Sequence, residues 1–262
     1  MNQPPIKFEQ LDYRISDSVA HIRLNRPELY NSFTTQLYGE VKNAVRLANA
    51  DPGVDIIVIT GTGKAFATGG DLREVLSRIE DENPLALYAY DDNMPFDTIK
   101  HSAKTTIAAI NGICVAGGLA VASACDIQIS VKSAVFGVPE ARIGIASSMM
   151  PSLLLSKISL SKLKYLLYTA KTISADEAER IGLITEVTED DALEARVLEV
   201  VKEIRRTSPN ARQLYGEYLN RLLPVAPNAD LYRSFRSPEC VEGLRAFSEK
   251  REPGFNAGEG KK

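Results

Sequence analysis

Val54-Asp55-Ile56-Ile57-Val58-Ile59 is short, β-branched and almost wholly apolar, and at Gly61 it runs into Gly61-Thr-Gly-Lys-Ala-Phe-Ala-Thr-Gly-Gly-Asp71-Leu72. The first part has the pattern of a strand covered on both faces, and the second is a small-residue loop leading to a helix that starts near Asp71. Upstream, Val19 to Leu24 alternates like a half-buried strand, with Ala20, Ile22 and Leu24 on one face, until Asn25-Arg26-Pro27 breaks it. Between the two strands, Leu37, Val41, Val45 and Ala48 recur at helical spacing from Thr34 to about Ala50, and Asp51-Pro52-Gly53 stops the helix. Downstream the plan repeats: Thr105 to Ile110 is β-branched, Asn111-Gly112 turns, Ala116 to Ala124 is built of small residues, and Ile127 to Val131 is a strand. Strands alternating with helices place the chain in the α/β class.

The last third is predicted to be helical. Ser174-Ala-Asp-Glu177 has the form of a capping box before a helix that ends at Gly182, and Leu183 to Val187 is the final strand. Helices then follow over Asp191 to Arg206, Ala211 to Leu223 and Val241 to Lys250, ahead of a polar end from Asn256 to Lys262. A boundary near Thr207-Ser208-Pro209 separates a core, residues 1–205, from a helical tail, residues 206–262.

The 262 residues carry a formal charge of −3 with no long run of one sign, so neither nucleic acid nor an anionic membrane surface is an expected partner. No window approaches the ~20 apolar residues of a membrane span, and the opening MNQPPIKFEQ lacks a signal-peptide pattern; a cytoplasmic location is the expectation. Three dispersed cysteines and two histidines give no disulfide framework and no metal-ligand spacing, so no metal is expected.

Backbone amides at a helix N-terminus attract negative charge, which makes the glycine loops the place to look for chemistry. The first is not a nucleotide-phosphate loop, because Val58 stands where the pattern needs glycine and Ala65 where it needs Ser or Thr after Lys64. A dinucleotide fingerprint fails for want of a third glycine after Gly61 and Gly63. The second loop, Asn111-Gly-Ile-Cys-Val-Ala-Gly-Gly118, has the same design as the first. Two amide clusters aimed at one oxygen would stabilise the charge that develops on an acyl carbonyl. The alternative for either loop alone is close packing or a turn.

These residues closely resemble the crotonase (enoyl-CoA hydratase/isomerase) family. The likeness rests on Gly63-Lys-Ala-Phe-Ala-Thr-Gly-Gly-Asp71, on Ala108-Ala-Ile-Asn-Gly112 with Gly117-Gly118 and Ala124-Cys-Asp126, and on Phe136-Gly-Val-Pro-Glu140 with Ile143-Gly-Ile145. It extends from Leu24-Asn-Arg-Pro27 through Ile173-Ser-Ala-Asp-Glu-Ala and Gly182-Leu-Ile to Glu242-Gly-Leu-Arg-Ala-Phe, and so spans nearly the whole chain. The resemblance implies a spiral core of strand–strand–helix turns followed by a helical region that makes homotrimers, often paired as dimers of trimers. It implies an oxyanion hole from the amides of Gly70 and Gly117, and Glu140 as the proton carrier. It nominates Glu28, Leu29, Lys64, Ala65, Phe66, Thr68, Gly69, Asp71 and Leu72 as coenzyme A contacts, with Lys250 and Phe255 approaching from the tail or a neighbouring subunit. The coenzyme A thioester is then the substrate, and no cofactor is implied.

Hydratases of this family usually hold a water between two glutamates, and here the first falls on Ala120. A methyl group relays no proton, and a general acid or base is worth roughly 10²- to 10⁴-fold. One carboxylate suffices to shift a proton between two carbons, so an isomerase and a hydratase both stay open, as does a hydratase/lyase on an unusual, for example aromatic, enoyl-CoA. A non-catalytic binding or scaffold relative is the alternative of another class. Val138, Ile143 and Ile145 fit a pocket dry enough to raise the Glu140 pKa, against the plain alternative of a glutamate paired with Arg142. Ala146-Ser-Ser-Met-Met-Pro151 replaces the family's frequent glycine-rich stretch, leaving Ser147 and Ser148 as candidate water or substrate holders and Met149 and Met150 as packing or pocket residues. Tyr38, Tyr88 and Tyr90 are candidate hydroxyl donors, against the commoner role of a helical tyrosine as half-buried structure.

Overall fold

A computed structural model describes residues 7–81, 92–223, 231 and 234–255. Strands β1 (Leu11–Ser16) and β2 (Val19–Leu24) form an antiparallel hairpin, and helix α1 (Thr35–Ala50) leads to β3 (Ile56–Gly61). Then come β4 (Ala65–Ala67), α2 (Leu72–Glu80) and α3 (Phe96–Lys100); β5 (Thr105–Ile110), β6 (Ile113–Val115) and α4 (Gly117–Ala124); and β7 (Ile127–Val131) with β8 (Val135–Gly137). A 3-10 turn at Pro139–Ile143 precedes α5 (Met149–Leu155), α6 (Leu160–Thr169), β9 (Thr172–Ser174), α7 (Ala175–Arg180) and β10 (Glu186–Thr188). Helices α8 (Leu193–Arg205), α9 (Pro209–Leu222) and α10 (Pro238–Ser248) follow among the described residues.

The strands sort into two sheets by alternation along the chain. One runs β1-β2-β3-β5-β7-β10, parallel from β2 onward, and the other runs β4-β6-β8-β9. The three central turns, beginning at β3, β5 and β7, each add one strand to the large sheet, the next to the small sheet, and then a helix. The handover needs glycine, since a Cβ on Gly61 would stand 2.2 Å from the Ala65 carbonyl oxygen and one on Gly112 2.2 Å from that of Lys64. Fully buried Asn31 fastens the same corner, donating from Nδ2 to the carbonyls of Thr62 and Ala65.

Strand β3 is covered on both faces, as its composition predicts. Ile57 and Ile59 enter the main core, while Ile56 and Val58 meet Val197, Val200, Val201 and Ile204 of α8 across the sheet. Each fully buried Ile or Val contributes about 1.5–3 kcal/mol of transfer free energy, so this strand anchors both layers.

Some expectations shift. Strand β1 and the three-residue strands β4, β6, β8 and β9 are not apparent from the sequence pattern, and the last strand lies at Glu186–Thr188 rather than Leu183 to Val187. The capping box is half formed: Ser174 accepts from the Glu177 N–H, but the Glu177 carboxylate turns to Arg180 and Lys162. The tail after residue 205 divides into two behaviours. Helix α9 buries no residue, whereas α10 packs on the core through Cys240 and Leu244. At that contact a Cβ on Gly243 would stand 2.5 Å from the Ile143 backbone, so glycine lets α10 press against the 3-10 turn that carries Glu140.

Candidate active site

The first glycine loop is held by a one-residue parallel bridge. Phe33 donates to the Gly69 carbonyl at 2.7 Å and accepts from the Asp71 N–H at 2.8 Å, which leaves the N–H of Gly70 outside the ladder. Gly69 has φ +91°, a conformation that glycine adopts without strain. Asp71 caps α2 through the Arg73 N–H and pairs with Arg26 at 3.3 Å, so its carboxylate is committed to the loop's own structure.

The second loop approaches the first closely. Ala116 takes φ +52°, ψ −129°, a backbone state that L residues rarely adopt, and its N–H bonds to Gly137. Gly117 then opens α4 as its first helical residue, where a backbone N–H has no partner within the helix. A Cβ on Gly69 would stand 3.1 Å from the Gly117 nitrogen and 2.5 Å from the Ala116 Cβ, so the two loops touch backbone to backbone. Neither the Gly70 nor the Gly117 N–H enters a hydrogen bond among the described residues.

Glu140 follows Pro139 in the 3-10 turn, and its carboxylate is cut off from water on one side. Its Oε2 is sealed from solvent and has no hydrogen-bond partner, while the residue as a whole is half-buried and lines the cavity. Burial pushes its pKa from 4.5 up to about 7, only partly offset by a bond to its own backbone. No ion pair joins it to Arg142 among the described residues, so the paired-glutamate alternative is not realised.

Gly70, Gly117 and Glu140 share one cavity of about 680 Å³. Of the nominated coenzyme A contacts, Glu28, Leu29, Thr68, Asp71 and Leu72 line it as well. The structure does not bring Lys64, Ala65, Phe66, Gly69, Lys250 or Phe255 to the lining. Ala65 and Phe66 are fully buried in β4, Gly69 is buried beneath the bridge, Lys64 and Lys250 project from the surface, and Phe255 lies half-buried beyond α10. Ala120 is fully buried in α4, and the other acidic lining residues are Glu28 and Asp71. Ser147 lines the cavity and Ser148 does not; Met149 and Met150 do both jobs, packing in the core and lining the wall. Tyr38 lines it too, while Tyr88 and Tyr90 lie outside the described residues.

Sequence patterns give no notice of Phe96, Leu231, Phe235 and Phe247, which also line the cavity. They come from distant helical segments, and only packing brings them together. Among the described residues no cluster of three or more His, Cys, Asp or Glu side chains is placed to hold a metal ion, and no helix is long and apolar enough to cross a membrane. Two unengaged amides that share an apolar cleft with an acid whose pKa burial raises to about 7 form an arrangement able to polarise a carbonyl and move a proton next to it.

Comparison with known proteins meets this geometry from the other side. The family model for enoyl-CoA hydratase/isomerase matches residues 14–258. The probable enoyl-CoA hydratase of Mycobacterium bovis is 32% identical over 256 residues, which cover 95% of this chain and 98% of that protein. The crotonyl-CoA hydratase of Syntrophomonas wolfei is 31% identical over 260 residues, again covering 95% and 98%. A crystal structure of an enoyl-CoA hydratase/carnithine racemase from Magnetospirillum magneticum matches with a TM-score of 0.77 at 31% identity, covering 96% of this chain and 97% of that one.

Proposed function

The chain belongs to the enoyl-CoA hydratase/isomerase family and is an acyl-CoA-processing enzyme of the crotonase fold, and from that premise we propose that Glu140 alone moves its protons. The amides of Gly70 and Gly117 receive the thioester oxygen, and Glu140 takes a proton from the carbon beside the carbonyl. The electron pair delocalises onto that oxygen, where the two N–H groups stabilise it. Returning the same proton two carbons further along converts an unconjugated enoyl-CoA into the conjugated one, and Glu140 ends as it began. The single observation that carries this reading is the partnerless, buried Oε2 of Glu140 with its pKa near 7, since a base that titrates at the working pH is ionised often enough to act and is still strong when it does.

Isomerisation is favoured over hydration because Ala120 supplies no second carboxylate to fix a water. Hydration is the second reading, favoured by the names of the relatives and by Ser147 on the cavity wall. The aromatic lining at Phe96, Phe235 and Phe247 accommodates an apolar or aromatic acyl group in either case. Neither chemistry needs a metal or a redox cofactor. Incubating the protein with a 3-enoyl-CoA and a 2-enoyl-CoA in ¹⁸O-water separates the readings. Double-bond migration without label is the expected result; label at the β-carbon makes the enzyme a hydratase, and no turnover of either ester would remove the mechanism.

The homotrimer or dimer of trimers, in a cytoplasmic setting, belongs to the same proposal. Helix α9 supports it: Leu214, Tyr215, Tyr218, Leu219 and Leu222 share one face, and all are exposed in the single chain. Sedimentation at the mass of three or six chains is expected, and a monomer at micromolar concentration would refute it.

A further inference from the structure

We propose that the Tyr38 hydroxyl is a third hydrogen-bond donor to the thioester oxygen, acting with the amides of Gly70 and Gly117. The inference rests on the acyl-CoA reading above and adds a catalytic side chain to it.

Tyr38 connects the two glycine loops physically. Its ring stacks on Phe33, with centroids 4.3 Å apart and planes within 3°, and Phe33 is the residue whose backbone holds the Gly69–Asp71 segment. Phe96 meets the ring edge-on at 5.7 Å and 70°. Helix α1, capped by Thr34, fixes the backbone from which the side chain projects. A ring gripped on one face and one edge cannot swing, so the hydroxyl is held in place before any ligand arrives.

That hydroxyl lies against Gly117. The phenol oxygen is 2.2 Å from where a Cβ on Gly117 would stand, so the space that any other residue would fill is taken by this oxygen. Tyr38 is only 2% exposed and nevertheless lines the cavity, as do Gly70 and Gly117. A tyrosine buried for packing alone presents ring carbons; here the polar tip is set against Gly117, the residue that carries one of the two amides. A phenol O–H donates one strong hydrogen bond, and a donor aimed at a developing oxyanion in an apolar cleft costs no reorganisation during the reaction.

Tyr38→Phe keeps the stacked ring and deletes the donor. The test binds an arylpropenoyl-CoA, whose absorption moves to the red as its carbonyl is polarised, to Glu140→Gln with and without Tyr38→Phe, and measures kcat and KM of Tyr38→Phe with Glu140 intact. A smaller red shift is expected on loss of the hydroxyl, with kcat lower by about 10- to 100-fold and little change in KM. Fluorotyrosine at position 38, a stronger donor, should enlarge the red shift, and it provides the readout should the phenylalanine variant fold poorly. A red shift that ignores both changes overturns the proposal, even if the rate falls. Absence of acyl-CoA binding in every protein would instead remove the acyl-CoA reading, and this inference with it.

Discussion

Glu140→Gln is expected to lower kcat by about 10²- to 10⁴-fold while making the folded chain more stable above pH 7. The loss follows from the role: glutamine keeps the shape and the apolar surroundings of Glu140 but accepts no proton. The gain follows from the environment. Burial raises the carboxyl from 4.5 to about 7, so holding it ionised in the fold is unfavourable. Between those two pH values the unfolded chain has released the proton while the folded chain retains it. Stability therefore falls as pH rises from about 4.5 to 7 and is level above, by up to about 3 kcal/mol. Glutamine removes that dependence. Its advantage should be absent near pH 4, where both forms are neutral, and fully present at pH 8.

Thermal unfolding of the two proteins across that range reads the effect as a difference of several degrees at pH 8, which shrinks toward acid. The wild-type rate should rise about tenfold per pH unit below 7 and level off above, because the acting form is the carboxylate. Full activity in the variant would show that Glu140 is not the base, and a stability difference that does not change with pH would show that burial does not raise its carboxyl pKa.

How much of this was legible in the chain divides along physical lines. The strand running into a small-residue loop pointed to the two glycine loops, but Gly70, Gly117 and Glu140 themselves were readable only through the resemblance to the crotonase family, since a proline-glutamate turn alone fits a glutamate paired with Arg142. The dry pocket around Glu140 was partly readable from Ile143 and Ile145, its neighbours in sequence. Strands β4, β6 and β8 were not, because three residues are too few to show alternation, so the small sheet emerges only from the topology. Leu231, Phe235 and Phe247 look like the core face of ordinary amphipathic helices, and nothing in their spacing says that the core they cover is a cavity. Lys64, which the resemblance nominates for coenzyme A, projects from the corner of the spiral outside the cavity wall, so a contact there would be made at the surface. Asp71 lies where expected, with its charge already used by Arg26 and by the start of α2.

Gly117→Ala is expected to lower kcat by about 10²- to 10³-fold, the effect of displacing one oxyanion donor. The cause is steric and specific. The added methyl would stand 2.2 Å from the Tyr38 oxygen, whereas the next ring atom, Cζ, is 3.5 Å away, an ordinary contact. With its ring gripped by Phe33 and Phe96, Tyr38 cannot yield easily, so the Gly117 amide must move. This makes most of the cost depend on one atom. In a Tyr38→Phe background that oxygen is gone, and the tightest remaining neighbour of the methyl is the Gly69 Cα at 3.3 Å, which a shift of a few tenths of an ångström relieves. The two substitutions should therefore be far from additive: Gly117→Ala is expected to cost little beyond Tyr38→Phe itself, and the double variant should be faster than Gly117→Ala alone. Measuring kcat/KM for the four proteins of this cycle isolates the coupling. Simple additivity would mean that the phenol does not press on the Gly117 backbone, and the geometry linking α1 to both amide loops would have to be abandoned.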